Sequence, residues 1–189
     1  GVARSSTDAP VDWREAPAEA LPFDDAAFDA VLSSLGLQFF GDRPGAIAEM
    51  HRTLAPGGRV GIGVPGPNPA MFEALHGVVE RHLGSAVAAF VPAVFSLHDH
   101  DEIAGLLAAA GFVEVSVAAR HLSLALPPAD EFLWQYLLGT PLALAAAALD
   151  DDERVGLERD ATHAWRPFTT GGGMRLDVDL VLATGRKPV

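Results

Sequence analysis

The chain has 189 residues, 49% of them hydrophobic, with 25 acidic against 13 basic side chains and a formal net charge of −12. That length and composition suit one domain with a substantial core, and so few scattered basic residues exclude a phosphate-tracking nucleic-acid surface. There is no cysteine, which rules out disulfides, thiolate nucleophiles and cysteine-ligated metals.

No apolar run reaches the ~18 residues that a membrane helix needs, and residues 1–8 lack the apolar core of a signal peptide. A soluble cytoplasmic protein is expected, with no membrane or nucleic-acid partner. In chain order, residues 1–10 read as a loop or frayed end. Residues 11–15 alternate weakly and suggest a short strand. Pro17 and Pro22 bracket a loop, and the apolar run 28–33 reads as a buried strand. Asp42 is a candidate N-cap with Pro44 in the first turn. Ile47, Met50, His51 and Leu54 share one face of the helix that follows. Pro56-Gly57-Gly58 is expected to stop that helix and to lead into a strand over 59–64.

Pro65-Gly66-Pro67-Asn68-Pro69 is a rigid loop. A helix is predicted over 70–83, stopped by Gly84. Residues 85–97 carry no decisive pattern. Asp99 and Glu102 form a capping pair for the next helix, which Gly111 ends. Residues 112–118 and 121–126 read as two strands or one bent strand. Pro127-Pro128 opens a helical region lasting to about 165, with short helices over 143–149 and 151–165. After a turn at 169–173, residues 175–184 alternate as a clean strand. Strands alternating with helices indicate an α/β fold with a largely parallel sheet. Ligands of such sheets sit beyond the carboxyl ends of the strands.

Three phrases stand out: Ala18-Glu19-Ala20-Leu21-Pro22-Phe23, Phe28-Asp29-Ala30-Val31-Leu32-Ser33-Ser34, and the stretch from Glu49-Met50-His51-Arg52 through Pro56-Gly57-Gly58-Arg59-Val60. Together they resemble the middle of a class I S-adenosylmethionine-dependent methyltransferase of the quinone-biosynthesis and natural-product-tailoring kind. The resemblance is strong over 11–64 and looser over 65–189. It implies a Rossmann-like fold with a mostly parallel sheet, helices on both faces and a helical lid between the last two strands. Strands 1 and 2, with the glycine-rich cofactor loop, are expected to be absent. On the family's order 3-2-1-4-5-7-6, that absence would leave strand 3 about 14 Å from strand 4, at ~4.8 Å per strand. The gap closes if the chain is part of a longer protein, if strand 3 docks directly on strand 4, or if a second copy completes the sheet as a homodimer.

The resemblance further implies one domain over 1–189. Residues 1–64 would be the remnant of the cofactor-binding half, 65–126 the acceptor-side helices and strand, 127–168 the lid and 174–186 the final strand. The implied cofactor is S-adenosylmethionine, and the implied activity is methyl transfer to a small, rather apolar metabolite, needing residues upstream. Ala18, Glu19, Ser33, Ser34 and Gln38 are the implied cofactor-binding residues. No catalytic residue is assigned, because methyl transfer is mainly a positioning problem. Pro17 stands where the family carries the Asp that meets the adenine amino group, and proline brings neither carboxylate nor N–H.

The run His98-Asp99-His100-Asp101-Glu102 suggests a metal cluster, but its acids are already engaged by capping, and no metal is assigned. Trp134, Tyr136, Trp165 and Phe168 suit a lid over a flat acceptor, or the core of a helical layer. Two rival readings remain: a non-catalytic methyltransferase-like subunit, favoured by Pro17, and a methyltransferase-fold enzyme turned to another reaction.

Overall fold

The computed structural model describes residues 11–189; the expectation for residues 1–10 lies outside them. Four long strands, Phe28–Ser34 (β1), Leu54–Pro65 (β2), Val113–Leu126 (β3) and Gly173–Arg186 (β5), form the sheet, and the two-residue strand Thr169–Thr170 (β4) folds back on β5. The order is β1-β2-β5-β3, which is the 4-5-7-6 run expected from the resemblance. β1 and β2 are parallel, and β5 is antiparallel to β2, to β3 and to β4. Three of the four long strands therefore point the same way, as expected. The correction concerns the ladders: β5 returns from the helical region and slots between β2 and β3, so most pairings become antiparallel.

Among the described residues eight α-helices run in chain order from Arg43–Thr53 (α1) and Ala70–Leu83 (α2) to the single turns Ser85–Ala88 (α3) and Phe90–Ala93 (α4). His100–Ala109 (α5), Ala129–Leu138 (α6), Ala143–Ala147 (α7) and Asp151–Ala164 (α8) complete the set. Side-chain caps mark the starts of three of them, α1, α5 and α8. Asp42 accepts from Gly45 N at 2.9 Å, and Asp99 from Glu102 N at 2.8 Å. Asp150 and Glu153 form a reciprocal capping box at α8, a pair that the sequence reading passed over. Gly84 and Gly111 end α2 and α5 with φ of 87° and 95°, where a Cβ would be strained.

Two expectations are corrected. The segment 11–15 forms no strand. Arg14 in this segment is held by Asp12 and by Pro22 O, both at 2.9 Å, and the loop that follows is tied to α1 by side chains. The Pro56-Gly57-Gly58 phrase does not stop α1 either. The helix ends at Thr53, with Leu54 already extended, and the phrase lies inside β2. The stop comes from far away in sequence. Lys187 Nζ donates to the carbonyls of His51 (2.8 Å), Leu54 (2.7 Å) and Arg52 (3.4 Å), answering the open carbonyls of a helix C-terminus with a cation.

The core is split. Met71, Leu75, Leu133, Leu157 and Trp165 of the helical layer pack with Met174 and Leu176 of β5. Ile47, Val60, Ile62, Ile103 and Leu107 pack with Val181 and Ala183. Even-numbered residues of β5 are thus buried in its first half and odd-numbered ones in its second. Side chains alternate across a strand, so the two helical layers cover opposite faces at opposite ends of β5. Helices do lie on both faces, but not back to back.

One part of the sheet is left uncovered. Leu32 is 80% exposed, and Gly61, Gly63 and Leu182 lie beside it on the same face. Among the described residues β1 pairs only with β2, so its other edge is open. Among the described residues no helix is long and apolar enough to cross a membrane.

Candidate functional site

β1 and β2 are parallel and end side by side, so the loops after Ser34 and Pro65 leave from one edge of the sheet. The loop 17–27 runs along α1 and is held near the C-terminal end of that helix by one residue, Arg52. Its guanidinium donates to Phe23 O at 2.8 Å, Leu21 O at 3.1 Å, Asp25 at 2.7 Å and both oxygens of Glu49 at 2.7 and 2.8 Å. Glu49 also accepts from Leu21 N at 2.8 Å. The Arg52 hydrogen bonds, and then the Leu21 N–H, hold the Glu49 carboxyl down to about 2.

A pH prediction follows. The folded pKa of Glu49 lies below the ordinary carboxylate value, so its contribution to stability is full above about 4.5 and is lost as pH falls toward 2. Thermal midpoints of the protein should drop across that window, and those of Glu49→Gln should drop less. Parallel profiles for the two proteins would show that the clamp is not linked to stability.

The clamp shapes an apolar cavity of about 350 Å³ between the loop, β1 and α1. Its walls include Ala18, Leu21, Phe28, Ser33, Phe40 and Met50. Two of the five predicted cofactor residues, Ala18 and Ser33, therefore meet. The other three are placed differently. Ser34 is exposed and lines a groove on the uncovered face with Leu32, Gly61 and Leu182. Glu19 turns its carboxylate to Asp42 N at 3.4 Å. Gln38 is 6% exposed in the single turn Leu37–Phe39, and its Nε2 donates to Leu35 O at 3.2 Å. Pro17 closes a turn by accepting from Ala20 N at 3.1 Å.

The cavity fits the ring portion of a nucleoside, which needs apolar walls and little room. It supplies no carboxylate for a ribose diol among its lining residues. Phe40, Met50 and Thr53 also line it, and the sequence reading assigned them no site role. The i, i+3 spacing of Met50 and Thr53 marks an inward helix face, a signal that fits a core as well as a cavity.

The lid aromatics divide. Trp165 is fully buried and donates to Met71 O at 2.8 Å, so it belongs to the core. Trp134 donates to Glu158 at 2.7 Å and lies under the Arg154 guanidinium at 4.4 Å, between α6 and α8. Tyr136 packs on Phe72 with centroids 5.2 Å apart, and burial pushes its hydroxyl up to about 12. His98 is held by Phe95 O at 2.8 Å, while Asp99 caps α5. His51 packs edge-on against Phe112 at 4.9 Å, and its pKa is lowered by burial and then by the Lys187 charge.

Residues 2–62 match the family model described as a methyltransferase domain. The chain is 29% identical over 177 residues to nocamycin O-methyltransferase of Saccharothrix syringae, covering 87% of this chain and 62% of that protein. It is 32% identical over 130 residues to the demethylmenaquinone methyltransferase of Thermus thermophilus, covering 59% of each. The chain thus spans about three-fifths of the length of these curated relatives. Two solved structures share the fold: the YcgJ protein of Bacillus subtilis and a candidate methyltransferase of Bacillus halodurans. Their TM-scores are 0.57 and 0.56, each at 17% identity. Each alignment takes in nearly all of this chain (100% and 95%) and about three-quarters of the other (76% and 78%).

Proposed function

We propose that this chain, related by sequence and by fold to the class I S-adenosylmethionine-dependent methyltransferases, serves methyl transfer from S-adenosylmethionine to a small, flat, rather apolar acceptor. One observation carries the reading: the segment that matches the methyltransferase domain, 2–62, is also the segment that walls the cavity, with Ala18 and Ser33 on it. The names of the relatives support the acceptor class, since they act on demethylmenaquinone and nocamycin.

The bound cofactor would supply a methyl group already activated on a sulfonium. The chain's part is to place and to dry. Leu21, Phe28, Phe40 and Met50 exclude water from the ring portion. Ser33, at the end of β1, offers a hydroxyl where that portion ends. An acceptor hydroxyl would have to lose its proton, to solvent since no side chain is assigned as a base, and an acidic phenol or enol needs little help to do so.

The open edge of β1 and the uncovered face around Leu32 support completion of the site by further chain or by a second copy, a homodimer. The same two features, with Pro17, also support the rival reading of a non-catalytic subunit. A cytoplasmic location belongs to the proposal.

Calorimetric titration with S-adenosylhomocysteine tests the reading. Saturable binding is expected, weakened at least about tenfold in Ser33→Leu, where the larger side chain fills the cavity. No saturable binding would sink the cofactor role of this chain and leave the subunit reading.

A further inference from the structure

The cavity beside β1 is lined by Leu21 and Phe23 from the loop and by Met50 and Thr53 from α1. Arg52, between Met50 and Thr53 in sequence, is not among the lining residues. It holds the loop wall from behind. Its guanidinium donates to the backbone carbonyls of Leu21 and Phe23, the two wall residues themselves, at 3.1 and 2.8 Å. It also pairs with Asp25 at 2.7 Å, and its own carbonyl accepts from Ala26 N at 3.0 Å. The loop from Leu21 to Ala26 thus hangs on one residue.

Two further observations bear on what that residue does. Ala26 has a φ of 57°, a left-handed backbone that is strained for a residue with a Cβ. Such a conformation persists only where the surrounding contacts over-determine it, and Arg52 supplies contacts at Asp25 and at Ala26 itself. The second observation is the donor count. A guanidinium has five N–H donors. Nε and one Nη2 donor go to Glu49, the other Nη2 donor to Leu21 O, and the two Nη1 donors to Phe23 O and Asp25. No donor is left over for a ligand.

We infer that Arg52 is a positioning residue for the cofactor, setting its affinity through the loop wall without touching it. This rests on the methyltransferase reading above. A wall that is already ordered loses no conformational freedom when the ligand arrives. Released from Arg52, the loop would have to be ordered by the ligand, or would close the apolar cavity by collapsing on Phe40 and Met50. Lysine cannot replace the arginine, because an ammonium lacks the planar fork that reaches these acceptors together. The Asp25 side chain is 81% exposed, so that ion pair contributes least and the backbone contacts carry the role.

The test is calorimetric titration of the full chain with S-adenosylhomocysteine and with adenosine, well below the melting midpoint, where a loss of global stability alone leaves affinity unchanged. Arg52→Ala should weaken both ligands by at least about tenfold and by the same factor, because the wall serves the ring portion that they share. Asp25→Asn should change neither by more than about twofold. Millimolar methylguanidinium, which fits the emptied place, should restore part of the affinity of Arg52→Ala and leave the parent unchanged. The Leu21 amide, which donates to Glu49, should exchange at least about tenfold faster in Arg52→Ala and slow again with ligand bound. If Arg52→Ala does not fold, Glu49→Gln keeps the shape, loses the charge and should weaken both ligands by about threefold. Affinities within about twofold of the parent, a loss confined to S-adenosylhomocysteine, or a loss that methylguanidinium does not relieve while Leu21 stays protected would each overturn the assignment alone. A parent that binds neither ligand would overturn the methyltransferase reading, and the assignment with it.

Discussion

Replacing Trp165 with alanine is expected to cost about 3–5 kcal/mol of folding stability, the range for emptying a buried aromatic site. Trp165 is fully buried at the end of α8, and its ring lies 5.6 Å from that of Phe132. Its Nε1 donates to Met71 O across 94 residues of sequence, at 2.8 Å. The substitution therefore opens a cavity in the helical layer and leaves a buried carbonyl without its donor. Trp165→Phe separates the two costs: it keeps most of the volume and loses the hydrogen bond, for about 1–3 kcal/mol. Urea unfolding of the three proteins measures both. A Trp165→Ala cost below about 1 kcal/mol would show that the layer collapses around the gap, and that the helices between β3 and β5 are held by other contacts.

The second large effect is expected at Gly66. Its N–H donates to Asp179 O at 2.7 Å, which pins the loop after β2 to the middle of β5. A Cβ at this position would stand 2.7 Å from Asp179 Cβ and 2.9 Å from Asp179 O. Most of what it meets is β5 backbone, and backbone cannot rotate aside. Gly66→Ala must therefore push the loop off β5, at about 1–3 kcal/mol. A lower melting temperature is the expected result. An unchanged melting temperature would mean that the loop has room to retreat.

The same residues show how far sequence reading reaches. Asp42 and Asp99 were legible as caps because capping is a three-residue event, complete within the local chain. Gly84 and Gly111 were legible as stops for the same reason. Pro56-Gly57-Gly58 misled because it carries the local marks of a helix stop, while the carbonyls at the end of α1 are met by Lys187, more than 130 residues away. Of the predicted site residues, Ala18 and Ser33 meet at one cavity wall. Ser34, the next residue on the strand, points to the opposite face. Gln38 stands out in sequence as an implied cofactor residue and Tyr136 as a lid aromatic, but that each carries a buried polar atom without a partner among the described residues is visible only in the fold.

Trp134 and Trp165 make the point with one residue type. Both sit in the helical stretch between the last two long strands, and helical spacing marks each as one side of a helix. Only packing separates them: Trp165 closes the core, while Trp134 bridges α6 and α8 near the surface beneath Arg154.

By itself, the sequence determined most of the elements and a resemblance. Helix caps, glycine stops and strand alternation are local, and the Ala-Glu-Ala-Leu-Pro-Phe and Pro-Gly-Gly phrases lie within the one segment, 2–62, that matches the methyltransferase domain. What the tertiary structure alone decided is which faces those elements cover. Alternation in β5 says that the strand has two faces, and it cannot say that one is buried in the first half and the other in the second. That depends on the register between β5 and its neighbours, and on which helices reach each end. It is also why the Leu32 face stays bare beside the edge where the candidate site lies.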